Sequence, residues 1–279
     1  MRREAKRTLW ALSTDYQRGV SAEDYEVIAV DSNSSEPLDS HWVRQLPGQF
    51  HHLVVTVDNP SPCRAVNTGV REARGDWVCV MVDGARIPTP ELLHGFLKAR
   101  QLDQQAFAYS LGMHLGKQRQ NLAVLEGYSQ VVEDELLATV DWQKDGYELF
   151  KISCLAGSSR GGYFANLAES NCFALSKQSF LALGGYDERF ITRGGGFVNL
   201  DFFRQAVETH ALAPYMLLGE ATFHQFHGGV ATNTPHEQVP FAEFRAEYQR
   251  IRGCEYQVPK VEPNYIGRLP KFVREATTP

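Results

Sequence analysis

The sequence predicts an α/β protein built on a mostly parallel sheet flanked by helices. Short apolar segments of strand length alternate with amphipathic segments of helix length along the first hundred residues, which is typical of βα units. Three apolar segments end in an acid, at Asp31, Asp58 and Asp83. Because parallel strands end at one edge of a sheet, we expect these acids on the rim where ligands bind. Aspartate also favours turns after strands, so turn chemistry explains any one of them equally well.

The elements follow in order from periodicity and capping residues. Ala5, Leu9 and Leu12 recur at helical spacing, so the chain opens in a helix. A helix is predicted over residues 61–74, because Ser61 can cap its start. Strands are predicted at residues 25–31, 51–58, 76–83, 105–112, 170–175 and 215–223. Further helices are predicted at residues 90–101, 177–183, 199–208 and 241–251, whereas residues 118–146 are helical only in part.

Composition places the chain among ordinary globular domains. Of its 279 residues, 43% are hydrophobic and 22% are charged, with a net charge of -5, which suits one large domain. We predict a single domain over residues 1–257 and an irregular tail over residues 258–279, where prolines recur. The acidic balance does not favour nucleic acid as a partner, since sequence-independent binding needs a basic surface.

Cysteine usage and apolar runs bear on the location of the protein. The five cysteines show no Cys-x-x-Cys spacing, and we interpret them as reduced thiols. No apolar run approaches the roughly 18–20 residues of a membrane span. The opening segment MRREAKRTLW is charged and lacks the apolar stretch of a secretory signal. Together these features predict a cytoplasmic protein.

Three segments combine into a more specific pattern, and they read YEVIAVDSNSSEP, SPCRAVNTGVREARGDWVCVMVDGARIPTPELL and ESNCFALSKQSFLALGGYDERF. Their order and spacing resemble those of family 2 glycosyltransferases with the GT-A fold, over roughly residues 1–230. Each segment alone is a weak signal, but all three in register are a strong one. The resemblance implies a GT-A-like, Rossmann-like domain.

The resemblance also implies an activity and a set of site residues. The expected reaction moves a sugar, with inversion at its anomeric carbon, from a nucleoside diphosphate sugar to a hydroxyl acceptor. The acceptor class stays open among glycans, lipid-linked sugars and small molecules, including membrane-associated ones, and so does the oligomeric state. The implied donor-binding residues are Asp31, Asn33, Asn67, Asp83 and Arg86, and those on the acceptor side are Asp187, Glu188 and Asn199.

Two departures from the family pattern concern the donor side. The family fold normally starts with a strand before the first helix, and this chain begins in that helix, so we expect a missing first strand and an exposed sheet edge. The family's Asp-x-Asp is Asp83-Gly84-Ala85 here, which leaves one carboxylate for a divalent Mn²⁺ or Mg²⁺ ion. Arg86 is placed either to contact phosphate or to form a salt bridge at the rim.

Two further departures concern catalysis and metal binding. The family's Glu-Asp-x-Asp segment aligns with residues 198–201, which read VNLD. Asp201 is the remaining candidate for the catalytic base, although a first-turn acid also stabilises a helix, and Glu169 is a second candidate. Residues 224–227 read HQFH. Their similarity to the polypeptide galactosamine-transferring enzymes makes His227 the expected metal ligand beside Asp83, with His224 less favoured.

Two alternatives to an active transferase remain open. A non-catalytic protein of the same fold, which binds a nucleotide sugar or a glycan, is supported by the missing strand and the lost carboxylates. A nucleotidyltransferase of similar architecture ranks lower, because that class needs an early glycine-rich, basic phosphate loop and none is visible.

Overall fold

The computed structural model describes residues 1–278 of the chain. The helices are α1 (Arg2–Trp10), α2 (Ser40–Arg44), α3 (Cys63–Glu72), α4 (Leu92–Leu102), α5 (Gln120–Ala123), α6 (Gln130–Leu137), α7 (Lys177–Ala182), α8 (Val198–Glu208), α9 (Phe241–Arg252) and α10 (Lys271–Ala276). The strands are β1 (Val27–Ser32), β2 (Phe50–Val55), β3 (Trp77–Met81), β4 (Arg86–Pro88), β5 (Ala106–Leu115), β6 (Ser153–Leu155), β7 (Cys172–Ser176), β8 (Ala213–His224) and β9 (Asn264–Gly267).

The strands form two sheets. β1 and β2 make a parallel pair, and a seven-stranded sheet has the order β3-β7-β5-β8-β4, with β6 beside β5 and β9 beside β8. β7 runs antiparallel to both of its neighbours, β3 and β5. The long segment between β5 and β7 brings the chain back to the sheet at the opposite end. β4 is also antiparallel to β8, whereas β5 and β8 are parallel. The sheet is therefore mixed, and the prediction of a mostly parallel sheet is not confirmed.

A cavity separates the two sheets. β1 pairs only with β2, and β3 pairs only with β7, so each strand has one unpaired edge among residues 1–278. Both edges line a mainly apolar cavity of about 820 Å³, together with residues of α1, α3 and α4. Cys79 is exposed to it, although its neighbours Val78 and Val80 are buried.

An aromatic cluster forms the centre of the core and fixes α8. All ten residues of β5 are buried. Phe203 of α8 packs edge-on against Tyr109 of β5, with ring centroids 5.1 Å apart. Phe202 stacks on Phe173 of β7, also at 5.1 Å. Aromatic pairs of this geometry add to the free energy gained by burial, so α8 is held rigidly against the sheet.

The C-terminal segment is ordered, in contrast to the irregular tail predicted for residues 258–279. β9 pairs in parallel with β8, and α10 buries Val273 completely. Pro263 and Pro270 directly precede these two elements. Proline is compatible with both positions because neither requires its missing N–H group.

No helix within residues 1–278 combines the length and the apolar character that crossing a bilayer requires.

Asp201 lies in an ion pair that joins two helices. It is 2% exposed in the first turn of α8. Arg252 at the end of α9 donates to both carboxylate oxygens, with N···O distances of 2.7 and 2.5 Å, and Gln205 donates a third hydrogen bond. A general base needs a free lone pair facing its substrate. These contacts favour a structural role for Asp201, and its role as catalytic base stays a prediction.

Replacing Asp201 with asparagine should destabilise the protein. The substitution removes the charge that pairs with Arg252, and a hydrogen bond to a charged group contributes about 1.5–3 kcal/mol. We expect the free energy of unfolding, measured by urea denaturation, to fall by about 2 kcal/mol. Glu208→Gln is the matched control, since it removes the exposed partner of Arg204 on the same helix and should cost under about 0.5 kcal/mol. Wild-type stability in Asp201→Asn would refute the structural role.

Glu133 of α6 is a buried acid that holds the loop after β8. Its side chain is fully buried, and its Oε2 atom accepts hydrogen bonds from the Phe226 N–H at 2.6 Å and the Tyr128 hydroxyl at 3.2 Å. Arg3 and Arg7 of α1 approach Oε1 at 3.6 and 3.9 Å. Burial raises the pKa of Glu133 to about 7, even though these partners favour the charged form.

The raised pKa of Glu133 predicts a pH-dependent stability. The folded protein binds this proton more tightly than the unfolded chain does, so the contribution to stability is present below about pH 4.5 and is lost as pH rises through about 7. As pH rises from 5 to 8, the unfolding free energy of Glu133→Gln should increase relative to that of wild type by about 2–3 kcal/mol. Glu135→Gln, an exposed change on the same helix, should show no such gain. Parallel pH profiles for wild type and Glu133→Gln would contradict the assignment.

Candidate active site

Asp83 closes a turn with one carboxylate oxygen and leaves the other oxygen free. It follows β3 with a left-handed φ of 60°, a conformation that aspartate tolerates better than most residues and that clusters at functional sites. Its Oδ1 atom accepts a hydrogen bond from the Ala85 N–H at 3.1 Å, which closes the turn. Oδ2 takes no part in that turn and points towards the end of β8.

Two histidines from the end of β8 meet Asp83 Oδ2. The His224 Nε2 atom lies 3.6 Å from this oxygen, and the His227 Nε2 atom lies 3.9 Å from it. The two Nε2 atoms are 3.1 Å apart. Ligand atoms about 2.1 Å from a shared ion lie roughly 3.0–3.4 Å from one another, so a small contraction brings all three within reach of one divalent ion. The structure includes His224 beside the expected pair of Asp83 and His227.

The charges in this cluster suit a cation. Burial alone would raise the pKa of Asp83, but the guanidinium of Arg86 and the two imidazoles hold it well below its usual range. Burial lowers the pKa of His224 to about 4 and also lowers the pKa of His227, against the opposing effect of Asp83. At neutral pH the site thus presents one carboxylate and two neutral imidazoles, which are the protonation states that metal binding requires.

Arg86 lies inside the site instead of at a solvated rim. It is 4% exposed, its Nε–H donates to the Val82 carbonyl at 3.2 Å, and its Nη2 atom is 3.7 Å from Asp83 Oδ2. The salt bridge expected from the sequence is present, but it is buried. The buried guanidinium places a positive charge beside the cluster, where an anionic ligand would bind.

Glu169 stands at the end of a polar chain next to the cluster. The Asn171 side chain donates to Glu169 Oε1 at 3.4 Å, Asn199 donates to Asn171 at 2.7 Å, and the Tyr186 hydroxyl donates to Asn199 at 2.7 Å. Burial raises the pKa of Glu169, and Asp83 adds to this effect, while Arg86 opposes it. Glu169 is therefore a positioned carboxylate with raised proton affinity, which suits general base chemistry.

Asn67, expected on the donor side, and the residues expected on the acceptor side meet at one turn. Asn67 of α3 uses its whole amide there, because it accepts from the Tyr186 N–H and donates to the Tyr186 carbonyl and to Glu188. A Cβ atom at Gly185 would lie 2.6 Å from Asn67 Oδ1, so this turn requires glycine. Asp187 pairs with Arg189 and Arg252. The Asn67 amide is therefore engaged by this turn, and donor binding by Asn67 stays a prediction.

Asp31 and Asn33 lie together at the end of β1, on the far side of the cavity. Asp31 is 7% exposed, and its Oδ2 atom accepts from the Leu38 N–H at 3.0 Å. Asn33 donates to the Val57 carbonyl and accepts from the Val57 N–H, so its amide joins the ends of β1 and β2. The structure thus separates the donor-side residues into Asp83 with Arg86 and Asp31 with Asn33.

Sequence reasoning leaves residues 118–146 without a role, and two supports of the site come from them. Gln120 is fully buried and contacts His224 Nδ1 at 2.7 Å. Glu133 bonds to the N–H of Phe226, directly before His227. Helices α5 and α6 have only four and eight residues, too few for hydrophobic periodicity to reveal which side chains face inward.

The comparisons with known proteins agree with this geometry. No curated protein matches the chain. A family model described as glycosyltransferase like family 2 matches residues 6–247, a range that includes Asp83, Glu169, His224 and His227. The match extends over most of the sequence and confirms the family that the three segments indicate, and the chain belongs to the family 2 glycosyltransferases.

Proposed function

We propose that this protein transfers a sugar from a nucleoside diphosphate sugar to a hydroxyl acceptor. The observation that carries the proposal is the convergence of Asp83 Oδ2, His224 Nε2 and His227 Nε2 beside the end of β3. Family membership supports sugar transfer as the reaction. Glycans, lipid-linked sugars and small molecules, including membrane-associated ones, are the acceptor classes to be tested.

The three converging residues would hold Mn²⁺ or Mg²⁺. Two imidazole nitrogens and one carboxylate oxygen favour Mn²⁺, because Mg²⁺ is held almost entirely by oxygen ligands. When bound, the ion would neutralise negative charge on the diphosphate leaving group. Arg86 lies close enough to Asp83 to add its charge to the same region.

Glu169 is our candidate for the catalytic base. Its Oε2 atom would accept the proton of the acceptor hydroxyl while the hydroxyl oxygen attacks the anomeric carbon of the sugar. The bond from that carbon to the diphosphate oxygen breaks in the same step, and its electron pair leaves with the diphosphate. A single displacement of this kind inverts the anomeric configuration. The raised pKa of Glu169 supports the role, because it makes the carboxylate a stronger proton acceptor.

The remaining donor and acceptor contacts are proposed from position. Asp31 uses only Oδ2 in hydrogen bonds within residues 1–278, so Oδ1 is available to the ribose or the base of the nucleotide. Asn33 would act indirectly, by fixing the end of β1. Glu188 and Asn199 are proposed for the acceptor side, because hydrogen bonds hold both at the turn around Tyr186. Asp187 lies in the same turn.

We further propose a reducing location, the cytoplasm. None of the five cysteines forms a disulfide bond. The sulfur atoms of Cys79 and Cys172 lie 3.9 Å apart as two neighbouring thiols. Unpaired neighbouring thiols are typical of compartments in which glutathione keeps cysteines reduced.

A binding protein without turnover is the second candidate function. It is favoured by the pairing of Asp201 with Arg252, which engages one candidate base, and by the single carboxylate at Asp83. In that case metal-dependent nucleotide binding would be present without consumption of the sugar donor.

Asp83→Ala should abolish metal-dependent nucleotide binding. Loss of the only carboxylate leaves two neutral imidazoles, and we expect the affinity for UDP or GDP in the presence of Mn²⁺ to fall at least tenfold by calorimetry. Asp15→Ala is the matched control, because Asp15 is an exposed acid outside the cluster. Unchanged Mn²⁺-assisted affinity in Asp83→Ala would refute the metal role.

Glu169→Gln should separate catalysis from binding. We expect nucleotide release from UDP- and GDP-sugars with Mn²⁺ to fall by about 10²–10⁴, with nucleotide affinity unchanged. Glu255→Gln, an exposed change, is the control. Wild-type turnover in Glu169→Gln would exclude this residue as base, and nucleotide binding without turnover in the wild type would establish the binding protein instead.

A further inference from the structure

Gln120 makes an unusually complete set of contacts around His224. It is the first residue of α5 and is fully buried. Its side-chain Nε2 donates to the His224 carbonyl at 2.9 Å and lies 3.4 Å from both the Leu115 carbonyl and a carboxylate oxygen of Glu133. The two carbonyl oxygens can only accept hydrogen bonds, so the amide NH₂ group must face them.

That orientation fixes the tautomer of His224. The other end of the amide, Oε1, lies 2.7 Å from His224 Nδ1 and can only accept a hydrogen bond. Nδ1 must therefore carry the ring proton, and Nε2 keeps its lone pair. Nε2 is the atom that faces Asp83 Oδ2 and His227 Nε2, so the lone pair points into the cluster.

The same amide is connected to the loop that carries His227. Asn233 donates to Gln120 Oε1 at 2.9 Å. The Asn233 side-chain oxygen, Oδ1, accepts from three consecutive backbone N–H groups, those of His227, Gly228 and Gly229, at 2.9–3.0 Å. The loop and the histidine at the end of β8 thus share one buried amide as their common support.

We propose that Gln120 is a positioning residue that holds His224 in the Nδ1–H tautomer and so keeps its Nε2 lone pair aimed at the candidate metal site. The inference rests on the proposed metal-binding role of Asp83, His224 and His227. Partners of this kind fix the orientation of ligating imidazoles, and their loss typically lowers metal affinity 10–100-fold. Without an acceptor at Nδ1, the buried ring is expected to move its proton to Nε2, which lies 3.1 Å from His227 Nε2 and 3.6 Å from Asp83 Oδ2.

The test compares the metal-free wild type with Gln120→Met, a change of similar length that removes both amide groups. Nitrogen-15 NMR of histidine-labelled protein should show His224 as the Nδ1–H tautomer in the wild type and as the Nε2–H tautomer in the variant. Calorimetry should show a Mn²⁺ dissociation constant raised 10–100-fold in the variant. Gln118→Met is the control and should change neither result. Within residues 1–278, the Gln118 side chain makes its hydrogen bond to the exposed Glu126, away from the cluster.

The outcomes separate this inference from the proposed function. An Nε2–H tautomer of His224 in the wild type overturns the inference without any variant, and so does an unchanged tautomer in folded Gln120→Met. A change of tautomer without Mn²⁺ binding in either protein would uphold the positioning role and refute the proposed metal role. A change of tautomer together with weakened Mn²⁺ binding supports both.

Discussion

The antiparallel pairing of β4 with β8 is the constraint on which the site depends. Only three residue pairs form it, Arg86 with His224, Ile87 with Phe223 and Pro88 with Thr222. The Gln225 N–H continues the ladder to the Ala85 carbonyl at 2.7 Å. This register places the Asp83 turn against the end of β8. A slip by one residue would turn His224 to the opposite face of the sheet, so the ligands meet only because this short ladder is fixed.

The same ladder explains why the candidate site has one carboxylate instead of two. Ala85 occupies the place of the expected second acid, and it is fully buried between the turn and Gln225. A carboxylate there would be desolvated beside Asp83, and like charges in a buried position disfavour ionisation. The neutral imidazoles of His224 and His227 supply donor atoms without that repulsion. A candidate ligand set of one acid and two histidines therefore fits this buried position better than two neighbouring acids would.

The sequence predicts what depends on local pattern and misses what depends on long-range pairing. The helix at α8, the strand at β8 and the ligands Asp83 and His227 follow from periodicity and from a family pattern. The strand β4 has only three residues and no periodicity, and the antiparallel course of β7 depends on its neighbours. The pairing of Asp201 with Arg252 spans 51 residues and leaves no local signal, so the sequence alone could not set it against the expected role of catalytic base. Gln120 is equally invisible, because its role depends on a ring that is distant in sequence.

Helix α1 braces both halves of the site, although it contributes no candidate ligand. The Thr8 hydroxyl donates to the Gly84 carbonyl at 3.0 Å, beside Asp83. The Gln225 side chain, next to His224, donates to Thr8 at 3.3 Å and to the Glu4 carbonyl at 3.2 Å. Because one rigid helix contacts both sides, a shift of α1 would change the separation between the carboxylate and the imidazoles. The opening helix, which the sequence indicates only by its spacing, is thus part of what sets the geometry of the cluster.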